Sequence, residues 1–171
     1  MAHTADLGRD ELPAIRALLD ASFADLDDTD WDHALGGLHA LARAGGELIG
    51  HAAVVQRHFL HAGRTLRAGY VECVAVRADR RRQGHAGAQM AEVERVVRAA
   101  YDLGALSASG AGAALYAGRG WRQWSGRTSA LTPAGIVRTP AEDSTVHVLP
   151  VTAPLDLAGE LTCDWRAGDL W

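Results

Sequence analysis

The sequence predicts a mixed α/β (α+β) domain whose central sheet is mixed, mostly antiparallel and flanked by helices. Three observations carry this. Apolar residues recur at helical spacing in two stretches, 9–22 and 84–102. Between them lie apolar runs separated by short Gly-bearing turns, the pattern of an antiparallel meander. Finally, the order strand, helix, strand across 66–107 requires a parallel crossover, normally right-handed.

In the first stretch Leu12, Ile15, Leu18 and Leu19 share one face, with Arg9, Asp10, Glu11, Arg16 and Asp20 outside. An acidic loop follows, in which Thr29 or Asp30 caps a short helix from Trp31. Residues 39–43 and 47–59 flank Gly45-Gly46 and read as a hairpin; 61–64 make a second turn into a strand over 66–77. The helix opened by Gly84 carries Ala86, Met90, Val93, Val97 and Ala100 on its apolar face and leaves Gln89 elsewhere. Glu94 and Arg98 form a surface pair four residues apart. A short strand over 104–107, a small helix over 111–118 and a strand from Trp121 come next. Ser129-Ala130-Leu131 and Val146-His147-Val148 are two further strands around a Pro/Gly-rich loop. Two tryptophans and two aspartates in the last eight residues point to a docked tail.

A chain of 171 residues fits one domain, 1–171. Its 48% hydrophobic and 22% charged content is that of an ordinary globular protein, and a disordered chain is excluded. No run approaches the roughly 20 apolar residues of a membrane span, and Met1–Asp6 has no signal character, so a cytoplasmic protein without a membrane partner is expected. A net charge of −4 with one short arginine cluster speaks against nucleic acid. Every basic charge is Arg, which excludes a Schiff-base lysine, and the absence of Asn excludes an Asn-based triad. Two cysteines, Cys73 and Cys163, cannot form a Cys-rich zinc site, and no metal is expected.

Chemistry concentrates first at Arg81-Arg82-Gln83-Gly84-His85-Ala86, between an apolar strand and a helix. A helix N-terminus offers unpaired N–H groups and partial positive charge, Gly84 admits close approach, and the arginines add charge-assisted contacts. The plain alternative is a solvated Arg-rich connection. The run resembles the Arg/Gln-x-x-Gly-x-Gly/Ala signature of the GCN5-related (GNAT) acetyltransferases, with Arg81, Gly84 and Ala86 at its defining positions. That resemblance implies the GNAT fold, with the sheet splayed at the acetyl-CoA site. It further implies that the Val74, Ala75 and Val76 backbone holds the pantetheine arm of acetyl-CoA, and that Arg81, Arg82, Gln83, Gly84, His85 and Ala86 hold the pyrophosphate.

Glu72 interrupts an apolar strand, and burying a carboxylate is costly unless it is paired or used. It either faces solvent or serves as a general base whose pKa desolvation raises; the position before the pantetheine-binding segment favours the base, acting directly or through one water. Tyr116 is either a packed ring or, as the resemblance implies, the acid beside the coenzyme sulfur. Cys73 adjoins Glu72, but alternation along a strand turns it to the core, so a covalent acyl-enzyme is rejected in favour of direct transfer.

Carboxylates crowd 25–32, with Asp27 and Asp28 read as caps or solvated groups. The others would gather a polycation. The whole chain is similar to the actinobacterial aminoglycoside 2′-N-acetyltransferases, through Thr29-Asp30-Trp31, Leu35-Gly36-Gly37, 51–54, Gly69-Tyr70-Val71-Glu72, 101–107, Leu115-Tyr116-Ala117 and 163–169 before the final Trp171. This implies a cationic aminoglycoside as acceptor, held by Asp25, Asp30, Ser107, Asp169 and the Trp171 carboxylate, with Glu72 as base. Two departures stand out. The acid after Thr139-Pro140 falls at Glu142 or Asp143, and Cys73 stands where the family has a smaller residue, tightening the substrate cleft beside the base. Two other classes fit the residues: a GNAT enzyme for another amine (a polyamine, amino sugar or protein N-terminus), and a non-catalytic acetyl-CoA or antibiotic sensor. Strands after Ser129 offer a homodimer contact.

Overall fold

The computed structural model describes all residues except Ser109 and Ala111. Among the described residues ten strands and four α-helices follow in the order β1 (Ala2–His3), α1 (Glu11–Asp20), α2 (Asp28–Ala34), β2 (Leu38–Ala44), β3 (Glu47–His61), β4 (Arg64–Val76) and α3 (His85–Ala100). Then come β5 (Leu103–Ser107), α4 (Ala113–Ala117), β6 (Arg122–Gln123), β7 (Thr128–Thr132), β8 (Gly135–Arg138), β9 (Val146–Pro150) and β10 (Leu161–Cys163). Hydrogen bonding joins the strands in the order β6-β9-β5-β4-β3-β10-β7-β8, with β2 on β3 and β1 on β2. The sheet is mixed and mostly antiparallel; the parallel pairs are β4 with β5, across the α3 crossover, and β10 with β7. No helix among the described residues is long and apolar enough to cross a membrane.

The hairpins follow from backbone chemistry. Gly45 and Gly46, at φ +59° and +86°, close the β2–β3 hairpin in register Ala44↔Glu47. Both turn residues are left-handed, the form whose twist matches the strands it joins. The β3–β4 turn repeats this with Ala62 and Gly63 at +49° and +73°. Ala62 is exposed and its Cβ makes that conformation cost about 1–2 kcal/mol. Ala62→Asn therefore raises unfolding stability by about 0.5–1 kcal/mol in urea titration.

The chain forms two compact units: Met1–Val55 with Val71–Arg95, and Gln56–Tyr70 with Val96–Trp171. In the first, Ile15 and Leu19 of α1 pack with Ala75 of β4, and Leu7, Leu26, Trp31, Leu41, Leu48 and Cys73 close round them. Full burial of each such aliphatic chain contributes roughly 1.5–3 kcal/mol. Gln89, expected off the buried face of α3, is buried and donates from Nε2 to the Ala40 carbonyl at 3.1 Å. Glu94, expected in a surface pair, is buried too, while Glu92 and Arg95 form an exposed ion pair on this helix. Asp27, not Thr29 or Asp30, caps α2.

In the second unit β4 and β5 pair through Ala68↔Leu103, Gly69↔Gly104 and Tyr70↔Ala105, while β5 and β9 pair along all five residues of β5. The Pro/Gly-rich segment contains a strand the sequence reading missed, β8, whose four residues are all exposed. The tail supplies another, β10, seated between β3 and β7. The small helix begins at Ala113; its expected first residue, Ala111, lies outside the described residues. Of the two tail tryptophans only Trp171 is buried, and Trp165 is exposed.

Candidate active site

Glu72 stands half-buried on β4. The next residue, Cys73, has φ +52°, so the strand's alternation is interrupted there. A left-handed residue inside a strand is the geometry of a bulge, which re-aims neighbouring side chains. Cys73 packs against Ile15, Leu19 and Ala75, and its Sγ lies 4.0 Å from the Asp30 carbonyl. The expected core-facing thiol is thus present, although the backbone reaches it by a bulge and not by simple alternation.

Behind this bulge lies a polar chain that sequence reading missed. His51 Nδ1 is 2.9 Å from the Cys73 carbonyl, His51 Nε2 is 2.9 Å from His39 Nδ1, and His39 Nε2 is 2.8 Å from Thr4 Oγ1. Both rings are fully buried. Burial lowers the pKa of each, that of His51 to about 4, so both are neutral at pH 7. A folded-state value below the unfolded 6.5 means that stability is intact above pH 6.5 and is lost as pH falls toward 4. Between pH 7 and pH 5 this group alone removes roughly 2 kcal/mol of unfolding free energy, and His51→Asn abolishes that share of the pH dependence in urea titrations.

The 81–86 turn follows β4. Arg82 at φ +59° and Gly84 at φ +85° are both left-handed, and a Cβ added at Gly84 meets nothing within 4 Å. Alternating backbone handedness makes successive N–H groups converge, and the first turn of α3, from His85 and Ala86, adds donors with no intrahelical acceptor. The turn is braced from within. Arg81 Nε donates to the Val76 carbonyl at 3.0 Å, Gln83 Nε2 to the Asp79 carbonyl, and Arg77 pairs with Asp79 and Glu47. Arg81 is therefore partly a brace. Val74 is half-buried, while Ala75 and Val76 are buried.

Asp25 is exposed between α1 and α2. Asp30 is half-buried and already employed: its Oδ2 accepts from the Asp27 N–H, completing a capping box in which Asp27 accepts from Thr29 and Asp30 N–H. Asp28 pairs with Arg16.

In the second unit Ser107 and Glu142 meet directly, Ser107 Oγ donating to Glu142 Oε2 at 3.1 Å, with Thr145 Oγ1 donating to the same oxygen at 2.7 Å. Asp143 is consumed by structure. It accepts from the Thr128 N–H and hydroxyl and pairs with Arg138, and these bonds hold its pKa below the usual carboxylate range. Of the two acids left open by the sequence, Glu142 is the one beside Ser107. Tyr116 is buried against Trp121 and His147, and burial pushes its phenol up to about 12.

Asp169 and Trp171 lie on a tail held by Arg57, another residue the sequence reading passed over. The Arg57 side chain is 5% exposed; it donates to Asp164 Oδ1 at 2.8 Å, to the Asp164 carbonyl at 2.9 Å and to the Leu170 carbonyl at 2.7 Å. Its guanidinium lies over the Tyr70 and Phe59 rings. Trp171 stacks edge-on against Phe59 and donates from Nε1 to Thr139 Oγ1, while Asp169 is exposed. Among the described residues no three His, Cys, Asp or Glu side chains gather as a metal site.

A turn with left-handed residues and open space at Gly84, after a strand carrying a half-buried carboxylate, is a geometry suited to a phosphate-bearing donor. Residues 4–124 match the model of the acetyltransferase (GNAT) domain. The chain belongs to the GNAT acetyltransferase family. A curated relative, an aminoglycoside 2′-N-acetyltransferase from Mycolicibacterium fortuitum, is 51% identical over 176 residues, covering 100% of this chain and 90% of that protein. The GNAT-family enzyme YhbS of Escherichia coli, solved in complex with CoA, superposes with a TM-score of 0.63 at 19% identity, covering 94% of this chain and 87% of that one. Eis1 of Mycobacterium abscessus superposes with a TM-score of 0.60 at 20% identity, over 71% of this chain; the match spans about a third (32%) of Eis1. At such identity the structures establish the GNAT fold alone. That fold, with acetyl transfer as its chemistry, is the one the 81–86 signature implied.

Proposed function

We propose that this GNAT chain moves the acetyl group of acetyl-CoA directly to the 2′-amine of an aminoglycoside. The observation that carries the reading is the half-buried Glu72 carboxylate, one residue before the bulge on the strand leading into the 81–86 turn. The 51% identical relative supports the acceptor. Open space at Gly84 and the left-handed Arg82 support a pyrophosphate seat formed by Arg81 to Ala86, with the Val74, Ala75 and Val76 backbone along the pantetheine arm. Asp25, Asp30, Ser107, Glu142, Asp169 and the Trp171 carboxylate hold the remaining ammonium groups, and Cys73 contributes through its main chain. Glu72, directly or through one water, takes the proton that the attacking amine must lose. Tyr116 stays protonated at neutral pH, its phenol being raised to about 12, and passes its proton to the departing sulfur.

Acetylation removes a cation and so weakens the drug's hold on phosphate-rich RNA, which confers resistance in the cytoplasm. The exposed Leu131, Ile136 and Val137 of the β7–β8 hairpin support a homodimer across that edge, checked by light scattering. The deciding assay is thiol release from acetyl-CoA against aminoglycosides that carry either an amine or a hydroxyl at the 2′ position. Release confined to the 2′-amines is expected. Nitrogen acetylation of 2′-hydroxyl compounds overturns the regiochemistry.

A further inference from the structure

We propose that His51 is a positioning residue for acetyl transfer: its Nδ1–H clamps the Cys73 carbonyl and holds the bulge that aims Glu72, while His39 and Thr4 lock its tautomer. The inference rests on Glu72 being the base. The protons in the chain follow from its end. A carbonyl oxygen only accepts, so His51 must carry its proton on Nδ1. A neutral His51 then accepts at Nε2, which puts the His39 proton on Nδ1. His39 Nε2 accepts in turn, so the single Thr4 hydroxyl proton points to it at 2.8 Å and not to the Gly37 carbonyl at 3.3 Å. The Gly37 carbonyl already receives the Thr4 N–H at 3.0 Å.

With both rings neutral, as burial favours, one arrangement of hydrogens satisfies every member. The chain ends on an acceptor that cannot take a proton, so it conducts none to Glu72. Its effect is mechanical. Cys73 at φ +52° holds a conformation that costs a non-glycine residue about 1–2 kcal/mol, and such strain persists only where surrounding bonds over-determine it. Without the clamp the strand relaxes toward regular alternation, and residue 72 turns away from its working direction.

The test compares His51→Leu with His51→Asn, because the Asn side-chain N–H lies where Nδ1 was and keeps a donor for the Cys73 carbonyl. Both variants lose the bond to His39 and part of the ring's packing, so both lose thermal stability alike. In thiol-release assays with acetyl-CoA and a 2′-amino aminoglycoside, kcat of the Leu variant falls about 10–100-fold, the scale of a small misplacement of a reacting group, whereas the Asn variant returns to within about fivefold of the parent. Backbone amide resonances of Glu72, Cys73 and Val74 shift in the Leu variant and return toward the parent positions in the Asn variant, a readout independent of any acceptor. A parent enzyme that releases no thiol, with those amides still shifting, means that the acceptor assignment has failed and the clamp stands. Amides unmoved in His51→Leu, or kcat equal in the two variants, overturn the clamp.

Discussion

Glu72→Gln lowers kcat for thiol release by about 10²–10⁴ and leaves CoA affinity by calorimetry within about twofold of the parent. Glutamine keeps the volume and the hydrogen-bonding outline of the side chain while removing its basicity. The amine still binds but keeps its proton, and an ammonium has no lone pair for the thioester. The loss is therefore expected in kcat, with KM for the acceptor changed much less. At high pH, where some acceptor amine is already neutral, the deficit narrows, since solvent then performs the deprotonation. A sensor that merely binds acetyl-CoA or antibiotic is indifferent to this substitution, so an unchanged turnover in Glu72→Gln rules out the base and not the fold.

Arg57→Met lowers unfolding free energy by about 3 kcal/mol, read as a fall in Tm of roughly 6–12 °C. The guanidinium is almost wholly buried and holds three tail acceptors, the Asp164 carboxylate and the carbonyls of Asp164 and Leu170. Methionine fills much of the space but leaves these acceptors short of donors, the costly half of breaking a buried pair. Because Asp164 is partly exposed, water recovers part of the loss, which holds the figure near the low end for buried pairs. The tail carries Asp169 and Trp171, so KM for the aminoglycoside rises in the folded fraction while KM for acetyl-CoA does not. Equal changes in both would remove the tail from the acceptor subsite.

The meander, the crossover helix and the phosphate-type turn were legible because each has a local cause: alternation, a Gly-Gly turn, helical spacing, Arg and Gly before a helix. Glu72 was legible as a charge in an apolar strand. His39, His51 and Arg57 send a similar signal, His51 for instance standing between Leu48-Ile49-Gly50 and Ala52-Ala53-Val54, yet histidine in a strand is common and its partner lies on another segment. Glu142 and Asp143 are adjacent in sequence, and only the folded β7–β8 and β9 segments assign one to Ser107 and the other to Thr128 and Arg138. β8 and β10 were missed for a physical reason: four and three residues carry too little periodicity, and their pairing is decided by neighbours far along the chain. Gln89 and Glu94 were misassigned because a buried polar group is justified by its partner, such as the Ala40 carbonyl for Gln89, and not by its place on a helical wheel.

The seating of β10 between β3 and β7 has a consequence for how the second unit is made. Among the described residues the β7–β8 hairpin joins the rest of the sheet through this three-residue strand, which leaves the ribosome after the other nine described strands. Until then the rim of β3 at Phe59–His61 and the facing rim of β7 are both bare, at the moment when nascent chains on a polysome are crowded together. Slowing translation over 150–160 therefore lengthens a window of vulnerability to cross-chain pairing, and a holdase chaperone is needed most in that interval.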